Sequence, residues 1–259
     1  MEGLGVLAGF RLDGKVALVT GGSKGLGKVM ATALAAAGAD VAICSRNLAE
    51  GQSTAHDVAE ATGKRIEAFA ADVTSSAAVA NLQKEVLAAF GQVDILINNA
   101  GNNVRGLVHE LTEADFDSVI DTNLKSAFLC AQAFGPAMAE RKWGRILNLS
   151  SILGSVALPG RVPYCAAKAG ITAMTKVLAL EWATQGVTVN ALAPGPFATE
   201  MNLSILNDPE KYRAFIARIP MGRWGELEEI AGPALLLVSP AGAFITGTTL
   251  LVDGGWTAQ

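Results

Sequence analysis

The chain has 259 residues, of which 51% are hydrophobic and 17% are charged, and its formal net charge is −4. This length and apolar content predict one folded domain spanning residues 1–259 and exclude a disordered chain. Because the charge is slightly acidic and no basic run exceeds a pair, nucleic acid is not expected as a partner.

The two segments that resemble targeting or membrane sequences are better explained as parts of the domain. Residues 1–15 lack the basic start and apolar length of a signal peptide, so we expect a cytoplasmic protein. Residues 230–252 form an uncharged run long enough to span a bilayer. Prolines and glycines interrupt this run and acidic residues flank it, so we interpret it as core and expect no membrane association.

Short runs rich in Val and Ile alternate with alanine-rich helical stretches along the chain. Runs that are continuously apolar are typical of parallel strands covered on both faces. The predicted strands are 15–20, 40–45, 65–70, 93–98, 145–150, 187–192 and 248–253. The alternation predicts an α/β fold: a single-domain, Rossmann-type, doubly wound parallel sheet with about seven strands and helices on both faces. Ligands of such sheets bind at the carboxyl ends of the strands.

The first predicted strand leads into the glycine-rich turn TGGSKGLG at 20–27, and an alanine-rich helix follows. Gly21, Gly25 and Gly27 permit the turn and let a diphosphate approach the backbone at the helix N-terminus. We therefore predict dinucleotide binding here, with a plain tight turn as the alternative. Further along, the apolar spacing over 79–90 predicts a core-facing helix, with Thr74 or Ser75 as its cap.

The metal-ligating residue types are sparse. Cys44, Cys130 and Cys165 form no CxxC pair, and we interpret them as small buried hydrophobes in a reducing compartment. His56 and His109 have no metal-site spacing and are expected at the surface, so no catalytic zinc is predicted.

No strand is predicted between about Pro194 and Gly225, and 200–218 has the character of a helical insertion. Because this segment follows a strand end, we interpret residues at about 195–224 as a substrate lid. A surface excursion without a role in binding is the alternative.

Tyr164 and Lys168 are four residues apart, so on a helix they share one face. A tyrosine with a pKa of about 10 is a poor base at neutral pH. At about 4 Å and an effective dielectric of about 20, an ammonium stabilises a phenolate by ~4 kcal/mol, enough to lower the pKa by roughly three units. The pair predicts a proton shuttle, and an ordinary helix turn with a snorkelling lysine is the alternative.

Several motifs occur in a fixed order: the glycine-rich turn, Asp72, NNAG at 98–101, Asn123, Ser151, Tyr164-x-x-x-Lys168, and Pro194-Gly195 with Thr199. Together they resemble the short-chain dehydrogenase/reductase superfamily, from about Asp13 to Trp256. The layout, including Arg-Trp-Gly at 223–225, is most similar to gluconate 5-dehydrogenase-like members, with 3-oxoacyl-[acyl-carrier-protein] reductases next.

The resemblance assigns four catalytic residues. Tyr164 becomes the general acid in carbonyl reduction and the general base in alcohol oxidation, while Lys168 lowers its pKa and holds the nicotinamide ribose. Ser151 hydrogen-bonds the substrate oxygen, and Asn123 anchors a water-linked proton relay. Ser151 is preferred to Ser150 because it lies 13 residues before Tyr164, the separation typical of the family. Ser150 then points to the other face of its strand.

The second predicted strand ends in Ser45 and Arg46, where NAD-selective members of the family carry an acidic residue, and Lys24 lies in the glycine-rich turn. The two cations predict NADP(H) in preference to NAD(H), with the fork of Arg46 on the 2′-phosphate. Ordinary surface charges are the alternative. The residues expected around the cofactor are Gly21, Ser23, Lys24, Gly25, Leu26, Gly27, Ser45, Arg46, Asn47, Asp72, Val73, Asn99, Ala100, Gly101, Tyr164, Lys168, Pro194, Gly195, Phe197 and Thr199.

The resemblance implies an NADP(H)-dependent oxidoreductase that moves hydride reversibly between nicotinamide and a ketone or secondary alcohol, for example a sugar acid such as gluconate. A 3-oxoacyl-[acyl-carrier-protein] reductase is the alternative within the family, and a non-catalytic NADP-sensing protein is the alternative outside the enzymes. A homotetramer, or a homodimer, is expected. A solvated loop arginine is the favoured interpretation of Arg105, and recognition of a substrate carboxylate is the alternative.

Two features depart from the family pattern or lie at its margin. Pro233 falls inside a helix expected over about 226–238, where proline costs about 3 kcal/mol or kinks the helix. That helix helps to form subunit contacts in the family. The carboxylate of Gln259 is in a position to meet a structural Mg²⁺, although a frayed terminus is the favoured interpretation. No catalytic metal is expected.

Overall fold

A seven-stranded parallel sheet forms the centre of the protein. The computed structural model describes residues 5–259, with the backbone alone at Met201 and Ser204. The sheet has the order β3-β2-β1-β4-β5-β6-β7, and each neighbouring pair runs parallel. Its strands are β1 Val16–Thr20, β2 Asp40–Ser45, β3 Ile66–Ala70, β4 Ile95–Asn98, β5 Gly144–Leu149, β6 Val187–Pro194 and β7 Thr249–Val252. The predicted α/β class is confirmed.

Helices cover both faces of this sheet. They are α1 Gly25–Ala36, α2 Leu48–Thr62, α3 Ser76–Phe90, α4 Glu113–Ile120, α5 Ser126–Glu140, α6 Val162–Trp182, α7 Leu203–Leu206, α8 Pro209–Ile216 and α9 Ala231–Val238. One buried cluster joins the sheet to α1, α2 and α9, and a second joins the opposite face to α3, α5 and α6. Residues alternate between the two clusters along a strand, as Ala17 and Leu18 do on β1.

The strand order reverses next to β1, which is paired with β2 on one side and with β4 on the other. Thr20 at the end of β1 is the register partner of Asn98 at the end of β4. Because the connections from β1 and β4 leave in opposite directions, a crevice opens between these two strand ends.

The segment 230–252 folds into α9 and β7, and no helix within residues 5–259 is both long and apolar enough to cross a membrane. Pro233 does not interrupt a long helix, because a 3₁₀ turn at Leu227–Ile230 precedes α9 and Pro233 is the third residue of α9. Amides in a first helical turn have no intrahelical partner, so proline loses no hydrogen bond there. The expected cost of a mid-helix proline was therefore wrong.

The excursion between β6 and α9 contains only short helices. Its two ends are pinned together, since Phe197 pairs with Gly225 in an isolated parallel bridge and the Gly225 amide donates to the Pro196 carbonyl at 2.9 Å. Aromatic rings pack inside it, with Phe215 and Trp224 stacked at 5.6 Å between centroids. The excursion is thus a folded unit seated beside the strand ends.

Candidate active site

A cavity of about 610 Å³ opens at the carboxyl ends of β1, β2, β4, β5 and β6. All residues that the sequence analysis proposed for cofactor binding and for catalysis line this cavity. Glu50, Glu200 and Asn202 also line it, and sequence reasoning missed them. Arg105 lies outside this lining, but its guanidinium donates to the Asn202 side chain at 3.3 Å.

The glycine-rich turn presents the N-terminus of α1 to the cavity. No side chain caps α1 within the described chain, whereas Asn47 caps α2 and Ser75 caps α3, accepting from backbone amides at 3.2 and 3.3 Å. The first-turn amides of α1 therefore have no side-chain acceptor, and with the helix dipole they suit an anion. This arrangement fits the diphosphate of a dinucleotide.

Close backbone packing explains why the turn needs glycine. A Cβ on Gly27 would overlap the carbonyl oxygen of Gly21 and the side-chain amide of Asn99. The Asn99 amide donates to the carbonyls of Thr20 and Gly21 at 3.0 and 2.9 Å. The turn is thereby fixed to the end of β4, with α1 pressed against it.

The two adjacent serines have different partners. The Ser151 hydroxyl accepts from the Leu153 amide at 3.1 Å, and Ser151 and Tyr164 line the same cavity. The Ser150 hydroxyl instead donates to the carbonyl of Lys168 at 3.0 Å, which ties β5 to α6. The structure thus brings Ser151 and Tyr164 together.

Burial changes the pKa values of Tyr164 and Lys168. Burial raises the pKa of Tyr164 to about 12, although its hydrogen bond with Ser151 acts in the opposite direction. Burial lowers the pKa of Lys168 to about 7. The net shift of the Tyr164 pKa is upward, whereas the sequence predicted a downward shift caused by Lys168, and Lys168 is not among the groups that shift this pKa here. The Lys168 ammonium donates to the Leu149 carbonyl at 2.7 Å and lies over the tyrosine ring, 5.4 Å from its centroid, so desolvation dominates.

Asn123 lies in a π-helical turn, Asp121–Lys125, between α4 and α5. Its side-chain amide donates to the carbonyls of Asn102 and Val119 at 2.8 and 2.9 Å. Its buried Oδ1 has no hydrogen-bond partner among the described residues. Turns of this kind widen a helix locally and are frequent at functional sites. The turn fixes Asn123 against the cavity wall.

Two carboxylates, those of Glu50 and Glu200, line the cavity together with the cations Lys24 and Arg46. Lys24 Nζ lies 2.8 Å from Glu200 Oε2 and 3.9 Å from Glu50 Oε1, and the hydrogen bond with Glu200 raises the pKa of Lys24. Neither carboxylate was predicted from the sequence, and Glu200 was not predictable because it lies in the excursion after β6. Glu50 could have been found, since it stands three residues after the helix cap Asn47.

Nearby, the Asp72 carboxylate accepts from the backbone amide and the hydroxyl of Thr74 at 3.0 and 2.8 Å. Both hydrogen bonds lower the pKa of Asp72, and the bond from the Thr74 amide has the larger effect, so this carboxylate stays ionised at the cavity wall.

At the carboxyl end of β4, Asn98 is buried and donates to Asn148 Oδ1 at 2.8 Å, which links β4 to β5.

Metal-ligating side chains do not gather in the described structure. No group of three or more His, Cys, Asp or Glu within residues 5–259 could hold a metal ion, and His56 and His109 are exposed. Burial raises the pKa of Cys44 and of Cys130 to about 12. Cys165 is only half-buried, so the expectation of buried cysteines holds for two of the three.

Comparisons with known proteins agree with this geometry. A family model described as Enoyl-(Acyl carrier protein) reductase matches residues 21–257. A 2-dehydro-3-deoxy-D-gluconate 5-dehydrogenase of Pseudoalteromonas atlantica is 40% identical over 98% of this chain and 100% of its own length. A 3-oxoacyl-[acyl-carrier-protein] reductase of Synechocystis is 43% identical over 94% of this chain and 97% of its own.

A solved structure extends the similarity to three dimensions. The crystal structure of a gluconate 5-dehydrogenase from Burkholderia cenocepacia, in complex with NADP and tartrate, superposes with a TM-score of 0.94. It is 37% identical in sequence, and the match covers 98% of this chain and 99% of that one.

Proposed function

The chain belongs to the short-chain dehydrogenase/reductase superfamily of oxidoreductases, which act on CH–OH groups, and we propose that it interconverts a sugar acid and its keto acid with NADP(H). One observation carries the proposal. Ser151 and Tyr164 line the same cavity as the uncapped N-terminus of α1. A dinucleotide anchored at α1 can therefore reach a substrate oxygen held by these two hydroxyls.

When bound, NADP(H) supplies or accepts the hydride at the reacting carbon. In reduction, Tyr164 donates its proton to the carbonyl oxygen as the C–H bond forms. In oxidation, its phenolate takes the hydroxyl proton as hydride leaves. Ser151 donates a hydrogen bond to the substrate oxygen and fixes its position. Lys168 and Asn123 complete the catalytic set. Lys168 lies beside Tyr164, where its ammonium donates to the Leu149 carbonyl. Asn123 anchors a proton relay.

The relatives support a sugar acid as the substrate. One relative is named for a deoxygluconate derivative, and the solved Burkholderia enzyme holds tartrate, which is also a hydroxy acid. Arg105, hydrogen-bonded to the cavity-lining Asn202, supplies a cation near the opening. The Synechocystis relative supports a second candidate, 3-oxoacyl-[acyl-carrier-protein] reduction.

The NADP preference rests on Arg46 and on NADP in the solved neighbours. Lys24 is the weaker contact, because Glu200 and Glu50 already partner it. The residues at 195–224 form the substrate lid in this proposal, since Glu200 and Asn202 of that segment line the cavity.

We propose a homotetramer working in the cytoplasm as the functional form. Apolar side chains on the outer faces of α5 and α6 support assembly: Phe128, Val177 and Leu180 are exposed by 47%, 52% and 81%.

A substrate panel tests the proposed function. The protein is incubated with NADP⁺ or NAD⁺ and gluconate, 2-dehydro-3-deoxygluconate or neutral polyols, and with NADPH and 3-oxoacyl thioesters, while the absorbance of the reduced cofactor is followed. We expect turnover of a sugar acid with NADP⁺. Turnover of the thioesters alone supports the second candidate, and cofactor binding with no turnover supports a sensor.

A further inference from the structure

Two arginines flank the contact between the loop after β4 and the N-terminus of α6. The Gly106 amide donates to the Gly160 carbonyl at 3.3 Å. Arg161 Nη1 donates to the same carbonyl at 3.1 Å. Arg105 directly precedes Gly106, and Arg161 directly follows Gly160. The backbone contact therefore places the two arginines on adjacent chain segments. Both are half-buried.

The pair brings like charges together in a partly dry environment. Burial, followed by the charge of Arg105, lowers the pKa of Arg161. The ion pairs of the described residues do not include Arg161. Partly buried like charges are unfavourable unless an anion joins them. The arrangement therefore suits an anionic ligand.

This location is next to the reacting groups. Arg161 is the N-cap residue of α6 and Tyr164 is the third residue of that helix, so the two lie on one side of its first turn. Neither guanidinium lines the cavity that holds Tyr164, but the positive charges of both arginines favour its phenolate and lower its pKa, against the larger effect of burial. Arg105 also contacts Asn202 at the cavity wall. A molecule that extends from the two arginines past Asn202 would enter the cavity that holds Tyr164.

We infer that Arg161 and Arg105 form one carboxylate-binding site, with Arg161 as a specificity-determining residue that selects acidic substrates over neutral ones. The inference rests on the proposed function, because the bound acid is the substrate. Guanidinium forks match the planar geometry of a carboxylate, and two forks can hold both of its oxygens. The side chain of Arg161 was not singled out by sequence, where its only signal is its position three residues before Tyr164.

Paired substrates test the inference. D-gluconate and D-gluconamide share a carbon skeleton, and only gluconate carries the charge. Arg161→Gln is expected to lower kcat/KM for gluconate by about 10- to 150-fold, chiefly through KM, because a charge-assisted hydrogen bond contributes about 1.5–3 kcal/mol. The loss on gluconamide is expected to be at least about tenfold smaller. Arg161→Lys should recover part of the gluconate activity. The matched control is Arg11→Gln, an exposed arginine paired with Asp13 on the N-terminal segment.

Calorimetry separates this inference from the proposed function. Gluconate is titrated into NADP⁺-saturated Tyr164→Phe protein, with and without Arg161→Gln, so that binding is measured without turnover. Weaker gluconate binding in the Arg161→Gln protein supports the site even if gluconate is not oxidised. Equal losses on gluconate and gluconamide, or an unchanged gluconate Kd, would overturn it. Failure of the unaltered enzyme to oxidise any sugar acid contradicts the proposed function alone.

Discussion

At the scale of single residues, burial acts on Tyr164 and Lys168 in opposite directions. It raises the pKa of the tyrosine to about 12 and lowers that of the lysine to about 7. The tyrosine is therefore protonated at neutral pH, the form that a carbonyl reduction needs. Oxidation needs the phenolate, whose population grows with pH below the pKa.

The Tyr164 hydroxyl should be required for catalysis and dispensable for cofactor binding. Tyr164→Phe keeps the ring and its packing but removes the transferable proton. We expect kcat to fall by at least the ~10²–10⁴-fold typical of a positioned acid–base group, with NADPH affinity within a few-fold. Steady-state kinetics and fluorescence titration measure the two quantities. Turnover close to that of the unaltered enzyme would remove Tyr164 from the mechanism.

Cofactor preference should depend mainly on Arg46. Arg46→Asp is expected to weaken NADP(H) by roughly 10- to 150-fold through the lost contact with the 2′-phosphate, while NAD(H) responds little. Lys24→Ala should have a smaller effect, since Glu200 and Glu50 already partner Lys24. The ratio of kcat/KM for the two cofactors is the readout. Equal kcat/KM values in the unaltered enzyme would refute the NADP preference.

At the scale of elements, the glycine-rich turn and α1 depend on a close backbone approach at Gly27. Gly27→Ala places a Cβ against the Gly21 carbonyl and the Asn99 amide, so the turn must shift. We expect lower thermal stability and weaker NADPH binding. Gly232→Ala on α9 is the matched control, because nothing lies within 4 Å of its added Cβ. That change should be neutral or stabilise by up to about 1 kcal/mol. Equal melting temperatures of both variants would contradict the packing argument.

The strands and the glycine-rich turn were predictable because their signals are local. Continuous apolar runs marked β1 and β6, and Ser75 was among the two predicted caps of α3. Contacts between distant segments were not predictable. Glu200 reaches Lys24, and Arg105 reaches Asn202, only because the excursion folds back over the strand ends. The upward shift of the Tyr164 pKa was not predictable for the same reason, since burial of this side chain is a property of the assembled fold.

At the scale of the whole molecule, the buried Lys168 links stability to pH. A buried lysine whose pKa is lowered in the folded state reduces the free energy of unfolding. This penalty is largest below the folded pKa of about 7, and it disappears as the pH rises through the ordinary lysine pKa of about 10.4. Lys168→Met removes this penalty. The stability of the variant relative to the unaltered protein should thus be highest below about pH 7 and decline towards pH 10. Urea denaturation across this range measures the difference, and a pH-independent difference would show that Lys168 is not buried with a lowered pKa.

The central claim is that this fold passes hydride between NADP(H) and the carbinol carbon of a sugar acid. The most direct measurement uses gluconate deuterated at the carbon that becomes the ketone, incubated with NADP⁺ and the enzyme. Mass spectrometry should find the deuterium in NADPH, with the rate of transfer by Tyr164→Phe lower by at least ~10²–10⁴-fold. Binding of NADP⁺ and gluconate without deuterium in the cofactor would contradict the account.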